Sequence, residues 1–198
     1  MKSEQEIFWS GEFGDHYVER NSDHNMFYCF TKILFNNSIS IKSVIELGAN
    51  VGINLDTLKI LYPGIKTFGV EINTKAFSKL EKNHSAHNGS VYDFSINEKF
   101  DLTLSSGVLI HQDPSMLEDF YEKLFNLSRK YILLNEYHSP YPVELEYKGN
   151  KGKLFKRDFG KHLLSFYPQL KLVDYGFFWG HDPLYVGEDS NWFLFEKV

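Results

Sequence analysis

The chain carries a single cysteine, Cys29, so no disulfide can form within it. That is the usage expected of a reducing compartment. No run comes near the roughly 20 consecutive apolar residues that a membrane-crossing helix needs. The opening stretch, MKSEQEI, has no apolar core of the kind a secretory leader shows. Together these readings predict a cytoplasmic protein. Basic charge is also short: the 198 residues sum to a net charge of −5, with a pI near 5.9. A nucleic-acid partner would call for a basic footprint, so none is expected. The eight histidines show no ligand spacing with carboxylates, and no metal site is predicted. Aromatics, by contrast, reach 17%, with 18 Phe and 12 Tyr. Some should fill the core, and others should wall a pocket for flat or cationic ligands.

Apolar runs alternate with helical patterns and no repeat is visible, which predicts one α/β domain over residues 1–198. The expected strands are Ser43–Leu47, Lys66–Glu71, a short one near Ser90–Asp93, Phe100–Ser105, Tyr131–Tyr137, Leu170–Phe177 and Trp192–Glu196. The last two are separated by a loop too short for a crossover helix, so they should pair antiparallel. The fold class is therefore a Rossmann-like, mostly parallel seven-stranded sheet with an antiparallel last strand and helices on both faces. Leu55, Leu58 and Leu61 mark the buried side of the first core helix, and Asn73 and Asp113–Pro114 read as later helix starts. Three segments fall outside the alternation: residues 1–25, 138–156 and 178–190. Ligands of open α/β sheets bind beyond the carboxyl ends of the strands. The first segment is expected to form a lid and the other two an acceptor pocket.

The strongest local signal is Val44-Ile45-Glu46-Leu47-Gly48-Ala49-Asn50-Val51-Gly52, where the first strand turns into a helix. Gly48 permits the tight turn and a close ligand approach. Glu71 ends the next strand, 19 residues after Gly52, where a carboxylate can accept hydrogen bonds from ribose hydroxyls. A dinucleotide site would have glycine at Asn50, to let the backbone meet a pyrophosphate, and would not favour Glu46 beside it. No Gly-Lys-Ser or Gly-Lys-Thr is present, so a phosphate-binding P-loop is excluded.

Glu46 to Gly52, Glu71, and Phe100-Asp101-Leu102 with His111 beyond it resemble class I S-adenosylmethionine (SAM)-dependent methyltransferases. The flanks are narrower: Glu6-Ile7-Phe8-Trp9-Ser10-Gly11-Glu12-Phe13-Gly14-Asp15, Leu154-Phe155-Lys156-Arg157-Asp158-Phe159, Leu172-Val173-Asp174-Tyr175-Gly176-Phe177 and Asn191-Trp192-Phe193-Leu194. With them the chain resembles the pseudaminic acid biosynthesis-associated methylases, a family tied to nonulosonic acid pathways and flagellin glycosylation. That resemblance implies SAM as cofactor and a sugar acid, its nucleotide-linked form or a precursor as acceptor. It implies that Gly48, Asn50 and Gly52 hold the methionine part, with Glu46 near the cofactor's positive charge. Glu71 would bind the ribose, with Ile72 against the adenine and Ser90 and Val91 at its edge. Ser105 and Ser106 would lie near the sulfonium and amino group. Tyr17 and Arg20 are cofactor candidates from the lid, since arginine can grip a carboxylate with two parallel hydrogen bonds.

For the chemistry, a hydroxyl acceptor would need a base. His111 is the first candidate, Glu136, Tyr137 and His138 form a second group, and His181–Asp182 a third. Lys148, Lys151, Lys153, Lys156, Arg157 and Lys161 crowd into 14 residues opposed only by Asp158. Of these, Lys156 and Arg157, together with His181, are expected to bind an anionic acceptor. A methyltransferase for another small metabolite and a SAM-binding subunit without catalysis are the competing readings.

Overall fold

The computed structural model describes residues 2–20, 26–185 and 187–198. The parts of the expected lid and acceptor segments at Met1, 21–25 and Val186 lie outside them.

Among the described residues seven strands make the main sheet. They are β1 (Ser43–Leu47), β2 (Lys66–Glu71), β3 (Ser85–Asn88), β4 (Phe100–Ser106), β5 (Ser128–Glu136), β8 (Leu170–Phe178) and β9 (Ser190–Lys197). Their order is β3-β2-β1-β4-β5-β9-β8. The pairs from β3 to β5 are parallel, while β9 runs antiparallel to both β5 and β8. The expected sheet is therefore the observed one, with its last strand reversed.

Central strands bury both faces. Val44, Leu102, Leu104 and Leu133 pack into one apolar layer with α3 (Phe27–Phe30), its π-helical continuation Thr31–Phe35, and α4 (Ile53–Leu61). Ile45, Leu47, Ile132 and Leu134 pack into the other, under α6 (Leu117–Leu127) and α7 (Phe159–Phe166). Two-sided burial explains why these strands read as continuous Leu, Ile and Val rather than as alternation. Helix starts follow local chemistry. The Asn73 side chain accepts from Ala76 N at 2.9 Å to begin α5 (Thr74–Leu80). Asp113 accepts from Ser115 N ahead of Pro114, and Asp158 accepts from Lys161 N at the start of α7.

One expectation is corrected. The third strand is Ser85–Asn88, not Ser90–Asp93. It is an edge strand with exposed side chains, so no apolar run marks it, whereas Ser90 Oγ accepts from Tyr92 N at 3.1 Å and bends its segment into a turn. Within segment 138–156, β6 (Val143–Tyr147) and β7 (Asn150–Lys156) form an antiparallel hairpin separate from the main sheet. Its turn is made by Lys148 and Gly149, both at positive φ (49° and 82°), as a two-residue hairpin turn requires.

The amino-terminal segment folds as α1 (Glu4–Ser10) and α2 (Glu12–Arg20). A reciprocal pair of hydrogen bonds between Ser3 and Glu6 caps α1. Gln5 Nε2 then donates to Gly152 O at 3.1 Å, tying this helix to the hairpin.

Candidate active site

The carboxyl ends of β1, β2, β4 and β5, roofed by α1, α2 and the hairpin, enclose a cavity of about 450 Å³. Its two ends differ in chemistry.

At the first end the chain turns out of β1 at Gly48, whose φ is 81°; a Cβ there would stand 2.6 Å from Val108 Cγ2. The N–H groups of Gly48 and Ala49 both donate to Val70 O, pinning the turn to β2. Glu71 Oε2 accepts from Asn50 N and its Oε1 from Asn73 N, each at 2.7 Å. The Ile72 N–H also acts on this carboxylate, and since each oxygen can accept twice, acceptor capacity remains for a ligand. Burial raises the Glu71 carboxyl above its ordinary range, against the pull of these backbone donors. Glu46 is only 1% exposed. Its Oε1 accepts from Asn54 Nδ2 at 2.5 Å, while Oε2 has no hydrogen-bond partner among the described residues. Burial pushes it up to about 8, and the nearby Glu71 adds to the rise. Asn50 Oδ1 is likewise buried and unpartnered. Ile72, Ser90, Val91 and Ser106 complete this end.

The second end is aromatic. Trp9, Tyr17, Tyr137, Tyr147 and Tyr185 line it with Glu188. His111 stands where the two ends meet, on the 3-10 turn Leu109–His111. Its ring lies 4.6 Å from Trp9 and 4.7 Å from Tyr147, centroid to centroid. Its Nδ1 is 2.6 Å from Lys153 O on β7. A carbonyl only accepts, so Nδ1 carries the hydrogen, and Nε2 of the neutral ring keeps a lone pair. Burial lowers the His111 pKa to about 4, outweighing the opposite effect of that hydrogen bond. The neutral form therefore persists through the physiological range.

Tyr17, Glu46, Gly48, Asn50, Glu71 and Ile72 reach the cavity as expected, and so do Ser90, Val91, Ser106, His111 and Tyr137. The rest of the expected set lies elsewhere. Ser105 and Glu136 point below the floor, where Glu136 accepts from Ser105 Oγ and from the N–H groups of Val108, Leu109 and Ile110. Burial pushes the Glu136 carboxyl up to about 7. It holds the segment that carries His111 and does not line the cavity. His138 faces Asp158, with Nε2 3.9 Å from Oδ2. Arg20 stacks its guanidinium over Phe13 at 5.6 Å. Gly52 is the left-handed start of α4, packed against Leu80 and His84. Arg157 buries its Nε away from the cavity, whereas Lys156 and His181 line an adjoining space of about 380 Å³. That space shares Tyr137, Gly187 and Glu188 with the main cavity, and Lys156 Nζ sits 5.0 Å over the Tyr137 ring. Tyr147, Tyr185, Glu188, Asn135 and Glu6 line the main cavity without having been anticipated. The alternation around Lys148-Gly149 is the signal that would have placed Tyr147.

Among the described residues no His, Cys, Asp and Glu cluster could hold a metal ion, and no helix is long and apolar enough to cross a membrane.

No protein-family model and no curated protein sequence matches this chain. Solved structures do. A 1,6-didemethyltoxoflavin-N1-methyltransferase from Burkholderia thailandensis, with bound 1,6-didemethyltoxoflavin and S-adenosylhomocysteine, is 17% identical, with a TM-score of 0.71 over 93% of this chain and 84% of that one. Magnesium protoporphyrin IX methyltransferase from Synechocystis PCC 6803, with bound SAM, is 10% identical, with a TM-score of 0.70 over 100% and 99%. A SAM-dependent methyltransferase from Archaeoglobus fulgidus is 13% identical, with a TM-score of 0.70 over 94% and 100%. This chain has the Rossmann-like fold of class I SAM-dependent methyltransferases.

Proposed function

We propose that this chain is a SAM-dependent methyltransferase acting on a small molecule. One observation carries the reading: the cavity floor holds a buried, unpartnered carboxylate oxygen on Glu46 beside Glu71, in the fold described above. The described residues lining the cavity include four glutamates (Glu6, Glu46, Glu71 and Glu188) and, among lysines and arginines, only Lys148. Such a lining suits a ligand with ammonium and sulfonium groups and repels a diphosphate.

In this reading Glu71 takes the ribose hydroxyls through its remaining acceptor capacity. Ile72 and Val91 pack on the adenine, and Ser90 meets its edge. Gly48, Asn50 and Ser106 surround the methionine part, with Glu46 beneath its charge, and Tyr17 closes the roof. When bound, SAM supplies a methyl group already activated on its sulfonium. His111 accepts a proton from the acceptor's O–H or N–H at Nε2. Tyr137 and Tyr147 position that acceptor and exclude water.

The finer reading is methyl transfer to an O or N atom of a nonulosonic acid, its nucleotide-linked form or a precursor, in the cytoplasm. The family resemblance supports it, and so does Lys156 in the adjoining space, which can pair with a carboxylate or phosphate held on its side, away from the Glu188 and Asp189 that share that space with His181. A second reading, a methyltransferase for a flat heterocyclic metabolite, draws support from the aromatic end of the cavity.

The test is incubation with methyl-labelled SAM and a panel of nonulosonic acids, nucleotide-linked sugars and heterocycles, followed by mass spectrometry. A gain of one methyl group on a sugar acid supports the finer reading; a gain only on heterocycles replaces it. Calorimetry showing binding of NAD and none of SAM would end the proposal.

A further inference from the structure

Glu46 and Glu71 end adjacent parallel strands and face one cavity floor. They are not equivalent. Both oxygens of Glu71 accept backbone N–H groups at 2.7 Å, which favours its ionised form. Glu46 has one neutral donor, Asn54 Nδ2, and one oxygen with nothing to accept from.

Among the described residues the surroundings offer it no cation. From β2 the charged neighbour is Glu71 itself. On α4, Asn54 supplies an amide, and Asp56 is turned to His84 at 3.1 Å. On β4, Leu104 stands opposite Glu46 in register, and the following segment brings Val108 against Gly48. From α1 comes another acid, Glu6. Lys148 sits at the aromatic end, 5.9 Å over the Tyr147 ring. Two adjacent buried carboxyls without a counter-ion cannot both stay charged at low cost. Burial raises both carboxyls, but Glu71, with a backbone N–H on each oxygen, keeps its charge, and Glu46 holds a proton.

We infer that Glu46 is protonated in the ligand-free protein and surrenders that proton when a cationic ligand group reaches the cavity floor, so that SAM binding releases a proton. This rests on the SAM reading above. The balance is simple: the Glu46 O–H bond breaks, the proton leaves to solvent, and the carboxylate so formed pairs with the ligand's positive charge. The elevation of Glu46 to about 8 by burial agrees with a neutral group at pH 7. The sign follows from linkage. The free protein binds one more proton than the complex, so affinity rises with pH and levels off above about 8.

The test is calorimetry of SAM binding to the purified protein at pH 7 in phosphate and in Tris, whose ionisation heats differ. We expect close to one proton released per SAM, and an affinity that climbs by about tenfold per pH unit between roughly pH 6 and 8. Glu46→Gln, which keeps the shape and the Asn54 contact, should release no proton and bind with a flat pH dependence. SAM binding without proton release in the parent, or release that persists in Glu46→Gln, overturns the inference. The parent titration decides the matter even where the variant fails to fold. Absence of SAM binding at every pH overturns the cofactor reading instead.

Discussion

The two ends of the cavity are built on different plans. The carboxylate end is shaped by main chain: the Gly48 turn pinned to Val70 O, and two backbone N–H groups fixed on Glu71. Its side chains hang from central strands buried on both faces. Apart from Tyr137 just past the end of β5, the aromatic end is shaped by side chains from three places outside the parallel core: the amino-terminal helices, the β6–β7 hairpin and the loop before β9. Rings there pack on rings, as Trp9 does on Tyr17 at 5.2 Å. A site of this kind can keep one end constant while the other is refitted, because only one end is part of the sheet.

Substitutions at each end should therefore leave the other undisturbed. The largest effect is expected at the junction. His111→Ala should lower kcat by roughly 100- to 10,000-fold with the acceptor found in the labelled-methyl screen, while SAM affinity by calorimetry stays near that of the parent. His111→Gln keeps a hydrogen bond but cannot take the proton, so it should be nearly as slow. With the imidazole held near 4 by burial, the acid limb of the parent's kcat profile should fall near that value and not near 6.5. Loss of SAM affinity in step with kcat would erase the division between the ends.

Next comes the carboxylate end. Glu71→Ala removes charged hydrogen bonds worth on the order of 1.5–3 kcal/mol. That is roughly a tenfold to hundredfold loss of SAM affinity, with acceptor KM unaltered at saturating SAM. Parent-like binding would cancel the ribose assignment. The smallest effect belongs to the rim. Lys156 is part-exposed beside Tyr137, and such charges contribute about 0.2–1 kcal/mol. Lys156→Ala should raise the KM of an anionic acceptor by roughly 1.4- to 5-fold and spare SAM; an unchanged KM would make this lysine a solvated surface group.

The contrast between the ends also explains what could be read from sequence. The turn from Val44 to Gly52, the bounds of β2, the place of Glu71 and the caps at Asn73 and Asp113 all obey rules that act over a few residues. They stand in the structure where the sequence analysis puts them. Which face a given side chain takes at a strand end depends on the strand's place in the fold and is not set within a few residues. Glu136 and Tyr137 are neighbours, yet one props the floor from below and the other walls the cavity. Lys156 and Arg157 divide in the same manner, since successive side chains along an extended chain point opposite ways. The hairpin was hidden for a further reason. Its strands are mostly exposed and lie outside the regular succession of buried strands and helices, so the alternation Val143-Glu144-Leu145-Glu146-Tyr147 and the turn after it are its only marks. Glu188 and Tyr185 enter the cavity from a loop whose course depends on contacts remote in sequence, among them Ser190 Oγ donating to Asn135 Oδ1 at 2.9 Å.

The bond from His111 to the hairpin is made to the carbonyl of Lys153, an atom common to all twenty amino acids. The histidine's tautomer is thus set by where the strand runs and not by what it is made of. The side chain at position 153 can be exchanged with the base still oriented, whereas Gly152, at φ 67°, and the buried Leu154 keep the strand in place. An insertion that slips the strand by one residue would change both at once.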